Sequence, residues 1–243
     1  MKCCTAPSLA ELIQRAGDAV LLFNLSGHLT PPKNLNRFTT IASWRGAFGP
    51  VTHAGKTYGL KGHEFRKLFA LPARVKPVCE VALQIYPADK KDLDALLAHG
   101  WRGIEPQAVA RDCDLFRRYV QNSAAEFSPA QGVYVDTNSG WFSDRTVRYL
   151  ASGRPVLVQE TGFSQHLPVG EGLLAFRNLD EAVEGAEKIS RDHEAHCRTA
   201  RKIAVEFMDT DWAGLNENED HPSQLTFAPR FPASGPSARG RGG

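Results

Sequence analysis

From residue 38 onward the sequence alternates between apolar runs of strand length and amphipathic runs of helix length, and this alternation restricts the fold more than any other feature. The runs "FTTIASW", "VCEVALQIYP", "RPVLVQETG" and "GLLAF" are rich in apolar and β-branched residues and are bounded by turn residues, as expected of buried strands. Between them, "KGHEFRKLFALP" predicts a helix stopped near Pro72. "ADKKDLDALLAHG" predicts another, with Leu93, Leu96 and Leu97 on one face and Gly100 ending it. "DCDLFRRYVQNS", "SDRTVRYLASG", "LDEAVEGAEKIS" and "RDHEAHCRTARKIAVEFMD" predict four further helices, and "QGVYVDTNSG" a strand running into a loop. Strands separated by helices of this length pair in parallel through crossover connections. The expectation is therefore an α/β fold with a doubly wound, mostly parallel, Rossmann-like sheet.

The flanks read differently. Residues 9–15 have helical apolar spacing, "AVLLFNLSG" reads as a buried strand, and "HLTPPKNLN" as a loop in which His28 is a candidate acceptor-side polar group, with a plain loop histidine the better reading. Near the other end, "SQLTFAPRFPASGPSARGRGG" is rich in Pro, Gly, Ser and Arg and has little to bury, so a disordered tail is expected. The predicted organisation is a short first segment (1–36), one Rossmann-like domain (37–209) and a flexible tail (210–243).

Composition excludes several function classes. The formal charge of +2 comes from 29 basic and 27 acidic side chains spread along 243 residues, which makes no field able to recruit nucleic acid or a membrane surface. No apolar segment approaches the roughly 18 residues of a membrane span. The opening "MKCCTAPSLAEL" lacks the apolar run of a signal peptide. The cysteines Cys3, Cys4, Cys79, Cys113 and Cys197 are odd in number and irregularly spaced, which points to reduced thiols and a cytoplasmic location. His193 and His196 are three residues apart rather than four and have no evident third ligand, so no metal is expected.

The stretch "TNSGWFSDRTVRYLASGRPVLVQETGF" carries the chemistry. Small polar residues lead into a helix with Ser143 or Asp144 as its N-cap, and such an entry presents unpaired backbone N–H groups and the positive end of the helix dipole. At the carboxyl end of a parallel sheet that is an anion site. The alternative is that Gly, Ser and Asp serve only to cap the helix. Neither G-x-G-x-x-G nor G-x-x-x-x-G-K-[ST] occurs, so a nicotinamide dinucleotide site of the usual type and a nucleoside-triphosphate loop are both unsupported. Trp44, Trp101 and Trp141 are candidates to stack on a base or a sugar, with core packing the better reading for Trp101.

The order "GWFSDR", "YLASGRPV", "TGF", followed by "LPVGEGLLAF" and "DEAVEGAEKI", resembles the donor-binding C-terminal domain of GT-B glycosyltransferases, and more closely a bacterial group of family-1-type members. The likeness spans about residues 38–208. It implies a nucleoside-diphosphate sugar as substrate, a separate acceptor, and no cofactor. Ser139, Gly140, Trp141, Ser143 and Asp144 would lie along the diphosphate and nucleoside, and Glu160, Thr161 and Gly162 would face the sugar. Arg45 and Lys61 would take the positions of the family's arginine and lysine that clamp the leaving diphosphate. The chain departs from the pattern at Arg148, where many relatives carry the glutamate that grips the ribose. The resemblance also implies an acceptor-binding domain, of which residues 1–36 would be a remnant and a linker, too few to form it, so no catalytic residue is assigned. A non-catalytic sugar-nucleotide-binding or interaction module is the other reading.

Overall fold

The computed structural model describes residues 36–45 and 49–208. The expectations for residues 1–35 and for the tail fall outside the described residues.

Strand β1 (Arg37–Ser43) is the hub. Phe38, Thr39 and Thr40 are all buried, so side chains pointing to either face are covered, as the central strand of a parallel sheet requires. A small antiparallel hairpin, β2 (Val51–His53) and β3 (Lys56–Tyr58), follows it and stands apart from the sheet. β4 (Val78–Gln84) pairs with β1 on one side, Phe38 opposite Cys79, and β5 (Arg102–Ile104) lies outside β4. On the other side β6 (Ala125–Ser128) pairs with β1, again at Phe38, and β7 (Val156–Gln159) and β8 (Leu173–Phe176) follow outward. The order is β5-β4-β1-β6-β7-β8, with every pairing parallel. The chain thus winds outward to β5, crosses back, and starts again at β6. This Rossmann-like winding opens a crevice between the carboxyl ends of β1 and β6.

The helices in chain order are α1 (Lys61–Arg66), α2 (Lys90–Ala98), α3 (Pro106–Ala110), α4 (Cys113–Gln121), α5 (Gly132–Thr137), α6 (Asp144–Ala151), α7 (Leu179–Arg191) and α8 (His193–Met208). One face of the sheet packs on α1, α2 and α7: Phe38, Val81, Phe127 and Phe176 meet Phe65, Leu96 and Ile189 in one core. Its aromatic rings run in series, Phe65 to Trp101 at 5.2 Å, Trp101 to Phe127 at 5.8 Å, and Phe127 to Phe176 at 5.1 Å. The opposite face packs Val156, Val158 and Leu173 against α4, α6 and α8 through Val120, Tyr149, Leu150 and Ile203.

Beneath α6, near β1, that second face turns polar. Thr39 donates to Ser123 and shares a hydrogen bond with Tyr149, each at 2.7 Å, while Glu80 and Glu126 are fully buried. Among the described residues no helix is long and apolar enough to cross a membrane.

The structure corrects two expectations and adds to a third. "QGVYVDTNSG" contains the helix α5 rather than a strand, and the strand is the preceding "AEFS". Four residues with a glutamate among them show neither an apolar run nor alternation, whereas Val133, Tyr134 and Val135 have strand propensity but are only half-buried. Asn138, left-handed at φ 50, ends α5. Leu97 lies 46% exposed, so only Leu96 of the α2 trio is fully buried. Trp44, a stacking candidate in the sequence, is buried in the core with Phe69 and Arg66 against its ring. Cys79, Cys113 and Cys197 are free thiols, and burial pushes the Cys79 thiol up to about 12.

Candidate functional site

Lys61 opens α1, and the helix is held at the mouth of the crevice by contacts distant in sequence. The Gly62 amide donates to the Trp44 carbonyl at the end of β1 (3.1 Å). A Cβ at Gly132 would lie 2.9 Å from the Gly59 carbonyl oxygen, so the start of α5 presses directly on the segment entering α1. Glu64 of α1 accepts from the Gln159 amide at 2.8 Å, and Gln159 in turn accepts the Ala130 N–H at 3.0 Å. These bonds tie α1 to the carboxyl ends of β6 and β7.

Arg145, in the first turn of α6, points back under the helix. Its Nε donates to Glu126 (2.6 Å), one Nη to the Ile41 carbonyl (2.5 Å) and the other to the Ser128 hydroxyl (2.7 Å), so it joins α6 to β1 and β6. Burial lowers the Arg145 pKa, but the charge and hydrogen bond of Glu126 outweigh it and the guanidinium stays charged. Glu126 uses one oxygen on Arg145, and its Oε2 is buried without a hydrogen bond. Lys61 feels both groups. Burial first, then repulsion from Arg145, pull its amine down to about 7 against the attraction of Glu126.

Ser143 is the N-cap of α6, as its place in the sequence suggested, yet its side chain makes no hydrogen bond to the helix. The first-turn N–H groups thus have no side-chain cap. Asp144 points outward and pairs with Arg148 at 3.3 Å.

The two glycine-bearing loops interlock. The Gly140 N–H donates to the Thr161 carbonyl and the Thr161 hydroxyl to the Trp141 carbonyl, both at 2.6 Å. Glu160 accepts the Gly162 N–H at 2.6 Å, and its other carboxylate oxygen faces Arg177 at 3.9 Å. Gly162 has φ 100, and a Cβ there would lie 2.8 Å from the Asn138 carbonyl oxygen, so this close approach admits only glycine without strain. The Ser139 hydroxyl accepts the Trp141 N–H, and its own N–H donates to the Tyr134 carbonyl, both at 3.3 Å. Trp141 stacks on Tyr134, centroids 4.8 Å apart and planes 9° from parallel.

Arg45 takes another direction. It grips Asp89 with two bonds, 2.6 and 2.9 Å, beside the Tyr86 ring after β4. Arg66 grips Asp92 in the same way at 3.0 and 2.6 Å, and the Trp44 indole N–H also donates to Asp92. These hydrogen bonds from Arg45 and Arg66 hold the carboxyls of both aspartates below the usual carboxylate range. A hollow of about 520 Å³ lies between these pairs, lined by Trp44, Arg45, Leu60, His63, Arg66 and Tyr86 among others. Lys61 and Arg45 therefore serve opposite sides of the β1 end, Lys61 toward Arg145 and Glu126, Arg45 toward Asp89.

His196 accepts the Gly172 N–H at 3.0 Å, and the His193 ring nitrogen lies 2.7 Å from the Ala124 carbonyl, so both imidazoles brace α8. Sequence reasoning passed over Glu126, Ser128 and Arg145. One signal was present: an arginine in the first turn of a helix opposes the dipole and is out of place there without a carboxylate beneath it.

No protein-family model matches the chain, and no match was found among curated proteins. Among solved structures it is similar to a putative UDP-N-acetylglucosamine 2-epimerase from Listeria monocytogenes, at 16% identity and a TM-score of 0.44, over 86% of this chain and 54% of that one. The chain thus spans about half the length of that structure.

Proposed function

We propose that the Rossmann-like domain binds a nucleoside-diphosphate sugar and acts as the donor half of a GT-B-type glycosyltransferase. One observation carries this reading: the loops at 138–144 and 160–162 are bonded to each other beside the uncapped start of α6, at the carboxyl edge of the sheet. Cleaving the bond to the sugar builds negative charge on the leaving diphosphate, and fixed N–H groups and a cation stabilise that charge best when held in place beforehand. In this reading Ser139, Gly140, Trp141, Ser143 and Asp144 line the diphosphate and nucleoside, Glu160, Thr161 and Gly162 border the sugar, and Lys61 flanks the phosphates, while Arg45, the other cation of the clamp that the resemblance implies, is held by Asp89.

Titration calorimetry with UDP-, GDP- and dTDP-sugars tests it. Binding of one of them, with transfer or slow hydrolysis of the sugar, is the expected result. Binding with neither across a broad acceptor screen makes the domain a sugar-nucleotide-binding module, and no binding at all removes the proposal.

A further inference from the structure

The crevice at the strand reversal holds more cations than carboxylates that can pair with them. Arg145 and the Lys61 amine lie around one buried carboxylate, Glu126, and Arg145 has taken its Oε1 while Oε2 stays without a hydrogen bond. Arg145 cannot swing aside, because Ser128 and the Ile41 carbonyl hold its other two nitrogens. Among the described residues Lys61 has no hydrogen-bond or ion-pair partner.

The remaining charged groups on the surrounding elements are engaged elsewhere. On α1, Glu64 is taken by Gln159 and Lys67, and the His63 Nδ1 accepts the Leu60 N–H. Asp136 of α5 pairs with Lys56 of the hairpin, Asp144 of α6 with Arg148, and Asp89 and Asp92 at the start of α2 with Arg45 and Arg66. A protonated Lys61 would thus sit half-buried beside a fixed guanidinium with no anion to itself.

We propose that this crevice is a proton-coupled oxyanion site, in which Lys61 stands as a neutral amine and takes one proton from solvent as a phosphate group seats between it and the start of α6. The inference rests on the reading that phosphates bind here. An entering anion reverses the local field: Lys61 gains the counter-charge that Glu126 cannot supply, and the amine becomes an ammonium that donates to the phosphate. The downward pull on its amine, to about 7, agrees with this geometry.

Two measurements on the full chain test it. The rate at which acetic anhydride modifies Lys61, followed by mass spectrometry against pH, reads the amine directly, and a midpoint near 7 is expected. Sulfate, which does not titrate in this range, should protect Lys61 and move the midpoint up. UDP binding at pH 8, measured calorimetrically in buffers of different ionisation enthalpy, should take up close to one proton. Its affinity should fall by up to about tenfold per pH unit above the Lys61 midpoint. Lys61→Arg, which keeps the cation but cannot lose its proton, should bind UDP without that uptake.

A midpoint at the ordinary lysine value, or UDP binding with no proton uptake, overturns the inference. Protection by sulfate with no binding of any nucleotide would leave the proton-coupled site standing and remove the sugar-nucleotide function. Failure of both anions to affect Lys61 removes the site.

Discussion

The two sides of the β1 carboxyl end handle charge in opposite ways. Toward β4, Arg45 and Arg66 each have their own aspartate at the start of α2, bonded in bidentate fashion near the surface, and the arrangement closes on itself as a neutral set. Toward β6, Lys61 and Arg145 share Glu126, and one carboxylate oxygen and one amine go without a partner. Paired surface ions are satisfied by protein and water and contribute little either way. Ions removed from water and left incompletely paired are costly to keep, and a fold that keeps them has a use for the charge. A cation near a strand end is thus a poor guide to a site until its partner is known. Arg45 and Lys61 look alike in the sequence and differ in this respect.

The largest effect should come from Arg145→Ala, which strands Glu126 in a buried polar layer. Urea unfolding should show a loss of about 3–5 kcal/mol, the usual result of breaking a buried pair from one side. Pairing that change with Glu126→Gln should recover much of it. A loss under about 1 kcal/mol would make the two sides of β1 energetically alike and break the comparison.

Next is Lys61→Ala, expected to weaken nucleoside-diphosphate binding by about 1.5–3 kcal/mol, as for a lost hydrogen bond to a charged group. Binding of the uncharged nucleoside should barely change. Equal losses for both ligands would mean damage to the fold instead.

Stability should respond to Lys61 with a definite sign. Its amine is lowered to about 7 in the fold from 10.5, so between those values the unfolded chain binds more protons and stability rises with pH. Below that window both states are protonated and the cost of the buried charge is fully present. Lys61→Met should therefore be more stable than the parent at pH 6, by about 1 kcal/mol or more, with the gap closing toward pH 10. Chemical unfolding at the two pH values measures it, and a gap that widens with pH would contradict the assigned environment.

The smallest effect is expected for Arg45→Ala. Its bonds end on Asp89, so the affinity for a nucleoside diphosphate should change less than about threefold, as for an exposed pair. A loss matching that of Lys61→Ala would place Arg45 on the phosphates after all and erase the contrast between the two sides.

Much of the scaffold was legible because it depends on neighbours in the chain. "FTTIAS" and "VLVQ" are strands in almost any setting where both faces can be buried, and Ser143 and Asp144 before a helical run mark where a helix begins. The loops at 139–144 and 160–162 were legible as candidates for the same reason. "AEFS" was not, since its two faces are covered by Phe65 of α1 and Arg145 of α6, neither element adjacent to it in sequence.

The alternation of periods by itself determined that this chain winds into a parallel α/β sheet, because strand and helix patterns are local and their order forces crossovers. Tertiary structure alone decided which charges meet. Arg45 finds Asp89 and Arg145 finds Glu126 across intervening elements, and the Lys61 amine is shaped by groups from α6 and β6. Ionisation depends on burial and on the nearest opposite charge, and both are set by packing between residues remote in the chain.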